Sequence, residues 1–301
     1  MPRDLSVFGG TANLPLAEAI ARALGVRLGA RVVERFPDGE VEVRLEEGVR
    51  GHHVYLVQPT TPPVNDNLVE LLLLADACRR AAAERVIAIV PYFGYARSDR
   101  RHGSRAAVGA RVVADLMEAV GVAEVITLDL HTPQVEGFFR VPVDGLSALP
   151  LLADAARERL TSDAVVVAPD AGRVKMATAY AQRLRTPLVV LHKRRDSSTR
   201  TSVTHLVGDV RGKQCLVIDD LISTGGTIAD SARALHDAGA RPGVLVAATH
   251  ALMLGDAAEK MRRAGVSCVL TTDTIACRAP DDGFVHTVSV AGMVAAAIRE
   301  D

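Results

Sequence analysis

The chain has 301 residues, 35 Lys and Arg against 36 Asp and Glu, a formal net charge of -1 and 49% hydrophobic residues. That length and apolar share suit one large or two medium globular domains, and the even charge balance gives no support to a nucleic-acid-binding surface. No apolar stretch approaches the ~20 residues that cross a bilayer, and the opening MPRDLSVFGG lacks the blocks of a signal peptide, so a cytoplasmic protein without a membrane partner is expected.

Along the chain, short β-branched runs alternate with longer amphipathic stretches, the pattern of a mostly parallel sheet covered by helices. Strands are predicted at 41–45, 54–57, 85–90, 124–129, 164–168, 187–191, 215–218, 244–248 and 268–271. VEVRL alternates strictly and reads as half exposed, whereas VIAIV and AVVVA read as buried on both faces. Between them, DNLVELLLLADACRRAAA puts Leu68, Leu71, Leu72 and Ala75 on one helical side, and TIADSARALHDAGA does the same with Ile228, Ala232 and Leu235 before stopping at Gly239. The Pro- and Gly-bearing break VPVDGLSALP divides the chain into two α/β domains, 1–147 and 148–301. FGGTANLPLAEAI and STGGTIADSARAL echo one another, which hints at a duplicated plan. Cys78, Cys215, Cys268 and Cys277 have no metal-ligand spacing and read as buried free thiols. Only four basic residues are lysines: Lys175, Lys193, Lys213 and Lys260.

Ligands of open α/β sheets bind beyond the carboxyl ends of strands, where helix N-termini and loop amides converge. Five predicted strand ends carry polar groups: PYFGYARSDR, LHTPQ, PDAG, HKRR and DDLISTGGT. The last lacks the lysine of a Walker A loop and the spacing of a dinucleotide fingerprint. What remains is a nest of amides from Ser223, Thr224, Gly225, Gly226 and Thr227, backed by a helix N-terminus and suited to one phosphate monoester. Asp219 and Asp220 beside it would then accept hydrogen bonds from a hydroxyl-rich group such as ribose, with Mg2+ able to bridge to the same sugar.

DDLISTGGT resembles the phosphoribosyl-diphosphate loop of the type I phosphoribosyltransferases and of the ribose-phosphate diphosphokinases. RFPDGEVEV, PVNDNLVELLLL, PYFGYARSDR, DLHTPQVEGFF, PDAG, KRR and GDVRGKQCLVIDD resemble the diphosphokinase family in order and spacing from about residue 5 to 275. The resemblance implies an α/β protein of two similar domains, each a mostly parallel sheet flanked by helices, that moves the diphosphoryl group of ATP to C1 of ribose 5-phosphate and releases AMP. It implies Lys193 and Arg195 on a closing catalytic loop, with Arg195 also near ribose 5-phosphate. It assigns Mg2+ to His131 and Asp170, with Asp129 orienting the imidazole. It further implies an ATP site of Phe36, Asp38, Gly39, Glu40, Arg97, Ser98 and Asp99, shared across a subunit contact of a homo-oligomer. Read locally, FPDGE is a turn leading into a strand. Ser98 stands where the family usually has Gln, Ser223 replaces an acid of many members, and HGSRAAVG differs from the segment linked to regulation in relatives. The competing readings are a phosphoribosyltransferase, for which KRR and FPDGE have no task, and a non-catalytic partner subunit, against which Lys193, His131, Asp170 and Asp219 argue.

Overall fold

A computed structural model of the chain describes residues 4–101, 103–195, 201–276 and 282–300; the side chains of 193–195 and 201–204 lie outside that description. The described residues form two compact units. One reaches to Ser147 and takes in Thr274–Ala276 and the segment from Ser289; the other begins at Ala148.

The first unit contains β1 (Leu5–Gly9), α1 (Leu14–Leu24), β2 (Arg31–Arg35), β3 (Val41–Leu45), β4 (His53–Val57), α2 (Val64–Arg80), β5 (Arg85–Val90), α3 (Gly109–Ala119), β6 (Glu124–Leu128) and β7 (Val143–Leu146). β1, β4, β5, β6 and β7 form a parallel sheet in that order. Beyond a polar first residue its central strands are largely apolar, because helices cover both faces: every residue of β4 is buried, as is β5 from its second residue on. β2 and β3 pair as a separate antiparallel hairpin, and the alternation of VEVRL appears as alternating half-buried and exposed residues. On α2 the buried stripe is Leu68, Leu71, Leu74 and Ala75. Leu72, expected on that stripe, is only partly buried, and the acidic Glu70 takes an inward place.

The second unit holds α4 (Leu149–Arg157), β8 (Val165–Ala168), α5 (Val174–Leu184), β9 (Leu188–Arg195), β10 (Thr201–Val207), β11 (Cys215–Ile222), α6 (Gly226–Asp237), β12 (Val244–Ala251), α7 (Ala257–Arg263), β13 (Val266–Thr272) and β14 (Val285–Val288). Its sheet runs β10-β9-β8-β11-β12-β13-β14, parallel except for the edge pair β10 and β9. The last helix, α8 (Ala291–Glu300), belongs to the first unit, where Arg299 donates to the carbonyl of Ala23 at the end of α1. All nine predicted strands are present, eight in the two mostly parallel sheets flanked by helices and 41–45 as β3 of the antiparallel hairpin. β11 differs most from its expected length: Asp219 and Asp220 lie inside it, because β12 runs alongside and pairs Asp219 with Ala248, Leu221 with His250 and Ile222 with Ala251. Cys78, Cys215 and Cys268 are buried free thiols, as expected. Burial pushes Cys78 up to about 12 and Cys215 to about 11, so both stay protonated and inert. Cys277 lies outside the described residues.

Candidate active site

β11 begins with Cys215, Leu216, Val217 and Ile218, all fully buried, and then places two carboxylates side by side. Asp219 and Asp220 are 8% and 3% exposed, so little water reaches either. Two buried like charges need a cation, and it comes from the neighbouring strand. β8 pairs with β11 through Val165 and Cys215. After β8 the chain turns through PDAG, where Asp170 Oδ1 accepts from the backbone N of Arg173 at 3.2 Å and caps one short 3-10 turn. That turn delivers Arg173, whose Nε lies 2.9 Å from Asp219 Oδ1 and whose Nη2 lies 2.9 Å from Asp220 Oδ1. Asp219 Oδ1 also accepts from the backbone N of Asp220 at 2.9 Å. Burial first, and then the charge of Asp220, push the Asp219 carboxyl up to about 8, while the Arg173 guanidinium pulls the other way.

Beyond β11 the chain makes a short loop into α6. Gly225 has φ +70°, and a Cβ there would lie 3.0 Å from the carbonyl of Ala257 and 3.2 Å from Met261 Cγ, so glycine is required on both counts. The loop carbonyls are tied back toward the α7 segment: Ser223 O accepts from Leu254 N at 2.9 Å and Thr224 O from Lys260 Nζ at 3.1 Å. In a trans peptide the N–H points opposite its carbonyl, so the amides of Thr224 and Gly225 point away from α7. Thr224 and Thr227 are exposed, and Ser223 and Gly226 are half-buried. The loop is therefore a set of outward amides and hydroxyls at the start of a 12-residue helix, which favours an anion.

The echoing Gly-Gly-Thr after β1 has a different fate. Thr11 donates from its backbone N and its Oγ1 to the two oxygens of Glu70, each at 2.5 Å, and Ala12 N donates to Gln58 Oε1 at 3.1 Å. A Cβ on Gly10 would stand 2.2 Å from Gln58 Oε1. These donors are satisfied from within the fold by the buried side chains of Gln58 and Glu70. The shared motif thus hides two different turns: Gly225 is left-handed and α6 starts at Gly226, whereas Gly10 has no positive φ and α1 starts only at Leu14, and the groups facing the motif separate an open loop from a filled one.

In the first unit, FPDGE forms the turn of the β2–β3 hairpin. Phe36 N donates to Glu40 O at 2.8 Å, Gly39 has φ +96°, and Asp38 Oδ1 accepts from Glu40 N at 3.1 Å. Phe36 is left 39% exposed at the tip. A groove of about 310 Å³, lined in part by Arg35, Gly39, Glu40 and Asn65, opens beside this turn against α2. Arg97 is exposed in the loop after β5. Ser98 Oγ accepts from Gly109 N at 3.0 Å and so fastens the first turn of α3. Asp99 accepts from Thr132 Oγ1 at 2.9 Å, which ties the loop after β5 to the His131 loop after β6. Asp129 has φ +37° and accepts from Ser147 Oγ at 2.9 Å. His131, half-buried, lies in the first unit and Asp170 in the second. Among the described residues no three or more His, Cys, Asp and Glu side chains gather as a metal cage.

The backbone of Lys193 and Arg195 runs in β9, opposite Val203 and Thr201 of β10, where the sequence suggested a loop; their side chains lie outside the described residues. Sequence reasoning passed over Arg173 and Lys260. Arg173 follows PDAG directly and was open to notice as a cation at a strand end, whereas nothing in AAEKMRR announces a partner 36 residues earlier.

The open α/β sheet with an anion loop beyond its central strand defines the second unit as a phosphoribosyltransferase-type domain. Residues 149–284 match the family description "Phosphoribosyl transferase domain", and residues 5–121 match "N-terminal domain of ribose phosphate pyrophosphokinase". Ribose-phosphate pyrophosphokinase 1 of Streptococcus pyogenes is 42% identical over 302 residues, covering 98% of this chain and 93% of the relative. The ribose-phosphate pyrophosphokinase of Rhodopirellula baltica is 44% identical over 276 residues, 91% of this chain and 87% of the relative. The crystal structure of phosphoribosylpyrophosphate synthetase from Mycobacterium smegmatis superposes with a TM-score of 0.91 at 37% identity, covering 99% of this chain and 98% of that one. The chain belongs to the ribose-phosphate pyrophosphokinase family.

Proposed function

We propose that the second unit holds ribose 5-phosphate on the β11–α6 loop while the first unit supplies the nucleotide contacts for transfer of the diphosphoryl group of ATP to the sugar. The C1 hydroxyl oxygen bonds to the β-phosphorus, the bond between that phosphorus and the oxygen bridging to the α-phosphate breaks, and the hydroxyl proton is lost. The products are 5-phosphoribosyl 1-diphosphate and AMP. The observation that carries this reading is the Asp219–Asp220 pair set directly before a loop of outward amides.

The amides and hydroxyls of Ser223, Thr224, Gly225, Gly226 and Thr227 bind the 5-phosphate. Asp219 and Asp220 accept from the vicinal ribose hydroxyls and so fix which face of C1 meets the nucleotide. Lys193 and Arg195 neutralise the transferring group; a lysine in a chain that otherwise prefers arginine suits a compact charge at that point. Phe36 offers a face for adenine and Asp38 and Glu40 its polar edges, Arg97 would meet phosphate, and Gly39, Ser98 and Asp99 complete the proposed ATP site. Mg2+ is typically held by one or two carboxylates together with substrate phosphates rather than by an all-protein cage. Asp170 is a carboxylate of that kind and His131 an imidazole that would add a ligand, each offered to the ion from its own unit, and the ion would supply neutralisation of phosphate oxygens. A cytoplasmic homo-oligomer with its nucleotide site near a subunit contact agrees with this assignment.

Isothermal titration of both substrates into Asp220→Asn tests the division of labour. Ribose 5-phosphate is expected to weaken much more than ATP. Loss of ATP alone would make the acid pair a nucleotide or metal site and end this reading.

A further inference from the structure

The acid pair is usable only if its two carboxylates are held apart in a fixed geometry. Adjacent, buried and of like sign, they repel one another with little water to screen them. The Arg173 guanidinium meets both, and its contacts are shared in an unusual way. The Nε and Nη2 edge that commonly grips one carboxylate in a fork is split here between two, each through Oδ1 and each at 2.9 Å. The spacing of the two oxygens is therefore dictated by a rigid planar group. Arg173 is itself placed by the Asp170 cap and has a side chain only 16% exposed.

We infer that Arg173 is a positioning residue for ribose recognition: it acts through Asp219 and Asp220, setting the carboxylates that receive the vicinal hydroxyls, without contacting the sugar. The inference rests on the ribose assignment of the acid pair. A cation opposite the pair also opposes the upward push that burial and Asp220 exert on the Asp219 carboxyl. A lysine would supply charge without the two-pronged geometry.

The test uses the full chain with Arg173→Met, Arg173→Lys, Asp220→Asn and the double variant Arg173→Met/Asp220→Asn, each checked by thermal melting. Steady-state kinetics with each substrate varied, and direct titration of ribose 5-phosphate, provide the readout. Arg173→Met is expected to raise KM for ribose 5-phosphate ~10-fold or more with KM for ATP within about twofold, and Arg173→Lys to recover only part of the loss. On the Asp220→Asn background, Arg173→Met should add less than about twofold, because residues acting as one unit are not additive. Full additivity, equal loss for both substrates, or a lower KM for ribose 5-phosphate would overturn the inference; a lower KM would show that Arg173 competes with the sugar. If Asp220→Asn weakens ribose 5-phosphate and Arg173→Met does not, the ribose assignment stands and this inference alone falls. If Asp220→Asn leaves ribose 5-phosphate unaffected, both fall. Should Arg173→Met fail to fold, Arg173→Lys decides through the same comparison of the two KM values.

Discussion

Replacing Gly225 by alanine attacks the loop at the one residue whose backbone and surroundings both demand glycine. At φ +70° an L side chain costs about 1–2 kcal/mol. The new methyl would stand 3.0 Å from the Ala257 carbonyl and 3.2 Å from Met261 Cγ, and that overpacking against backbone adds about 1 kcal/mol. A total loss of about 2–3 kcal/mol follows for the second unit, read by urea denaturation without substrate. The relief of that contact moves the amides of Thr224 and Gly225, so KM for ribose 5-phosphate should rise while KM for ATP changes little. Gly226 is the internal comparison. It lacks a positive φ, and its nearest neighbour to a new Cβ is Thr224 Oγ1 at 3.9 Å. Gly226→Ala at the start of α6 should leave stability unchanged or raise it by a few tenths of a kcal/mol. It should nevertheless weaken ribose 5-phosphate, since a methyl group would stand where the phosphate approaches the backbone. Gly225→Ala with wild-type stability would refute the packing argument, and Gly226→Ala with wild-type affinity would refute phosphate binding at the loop.

The raised Asp219 carboxyl gives opposite pH trends for stability and binding. The folded state holds a proton that the unfolded chain releases in the ordinary carboxylate range, so this contribution to stability is full at low pH and is lost as pH rises toward about 8. Ribose 5-phosphate binding, which needs the ionised pair, should strengthen over the same window, and Asp219→Asn should flatten that part of the KM profile; an unchanged profile would refute the assignment. Glu70→Ala, which leaves the Thr11 donors without their buried acceptor, should lower stability by about 2–3 kcal/mol in denaturant titrations, and a loss under about 0.5 kcal/mol, the scale of a surface change, would show that water replaces the carboxylate. Lys193→Ala should cut kcat ~100-fold or more with ribose 5-phosphate affinity nearly unchanged, since a charge aimed at the transition state contributes about 3 kcal/mol or more; turnover near the wild-type rate would make Lys193 a surface residue.

The parts of the fold legible in the sequence are those where one physical demand dominates. VIAIV and AVVVA are buried on both faces, so composition alone marks them as strands. LSVFG, RVVER, VDGL, TSVTHLV and VHTV escaped notice because β1, β2, β7, β10 and β14 are hairpin or edge strands, whose short or partly polar runs follow from having fewer neighbours. β11 outran its apolar run because strand length there is set by pairing with β12, and pairing leaves no signature in side-chain type. The acid pair and the glycine loop were legible because a tight turn before a helix needs those residue types. Lys260 was not, since its partner lies 36 positions away and only the fold brings the two together; Arg173 was open to notice as a cation beyond PDAG, but its two carboxylate partners were not. The echo of the two Gly-Gly-Thr segments was visible, but the difference between them lies in Gln58 and Glu70, which no local pattern connects to Thr11.

The central claim is that the chain moves two phosphoryl groups as one unit from ATP to ribose 5-phosphate. Purified protein with Mg2+, ribose 5-phosphate and ATP labelled in its γ-phosphate, followed by separation of the nucleotides and sugar phosphates, tests it directly. The account predicts AMP and labelled 5-phosphoribosyl 1-diphosphate in equal amounts, with neither formed when ribose 5-phosphate is omitted. ADP with label in free phosphate, or AMP release that does not depend on the sugar, would contradict it.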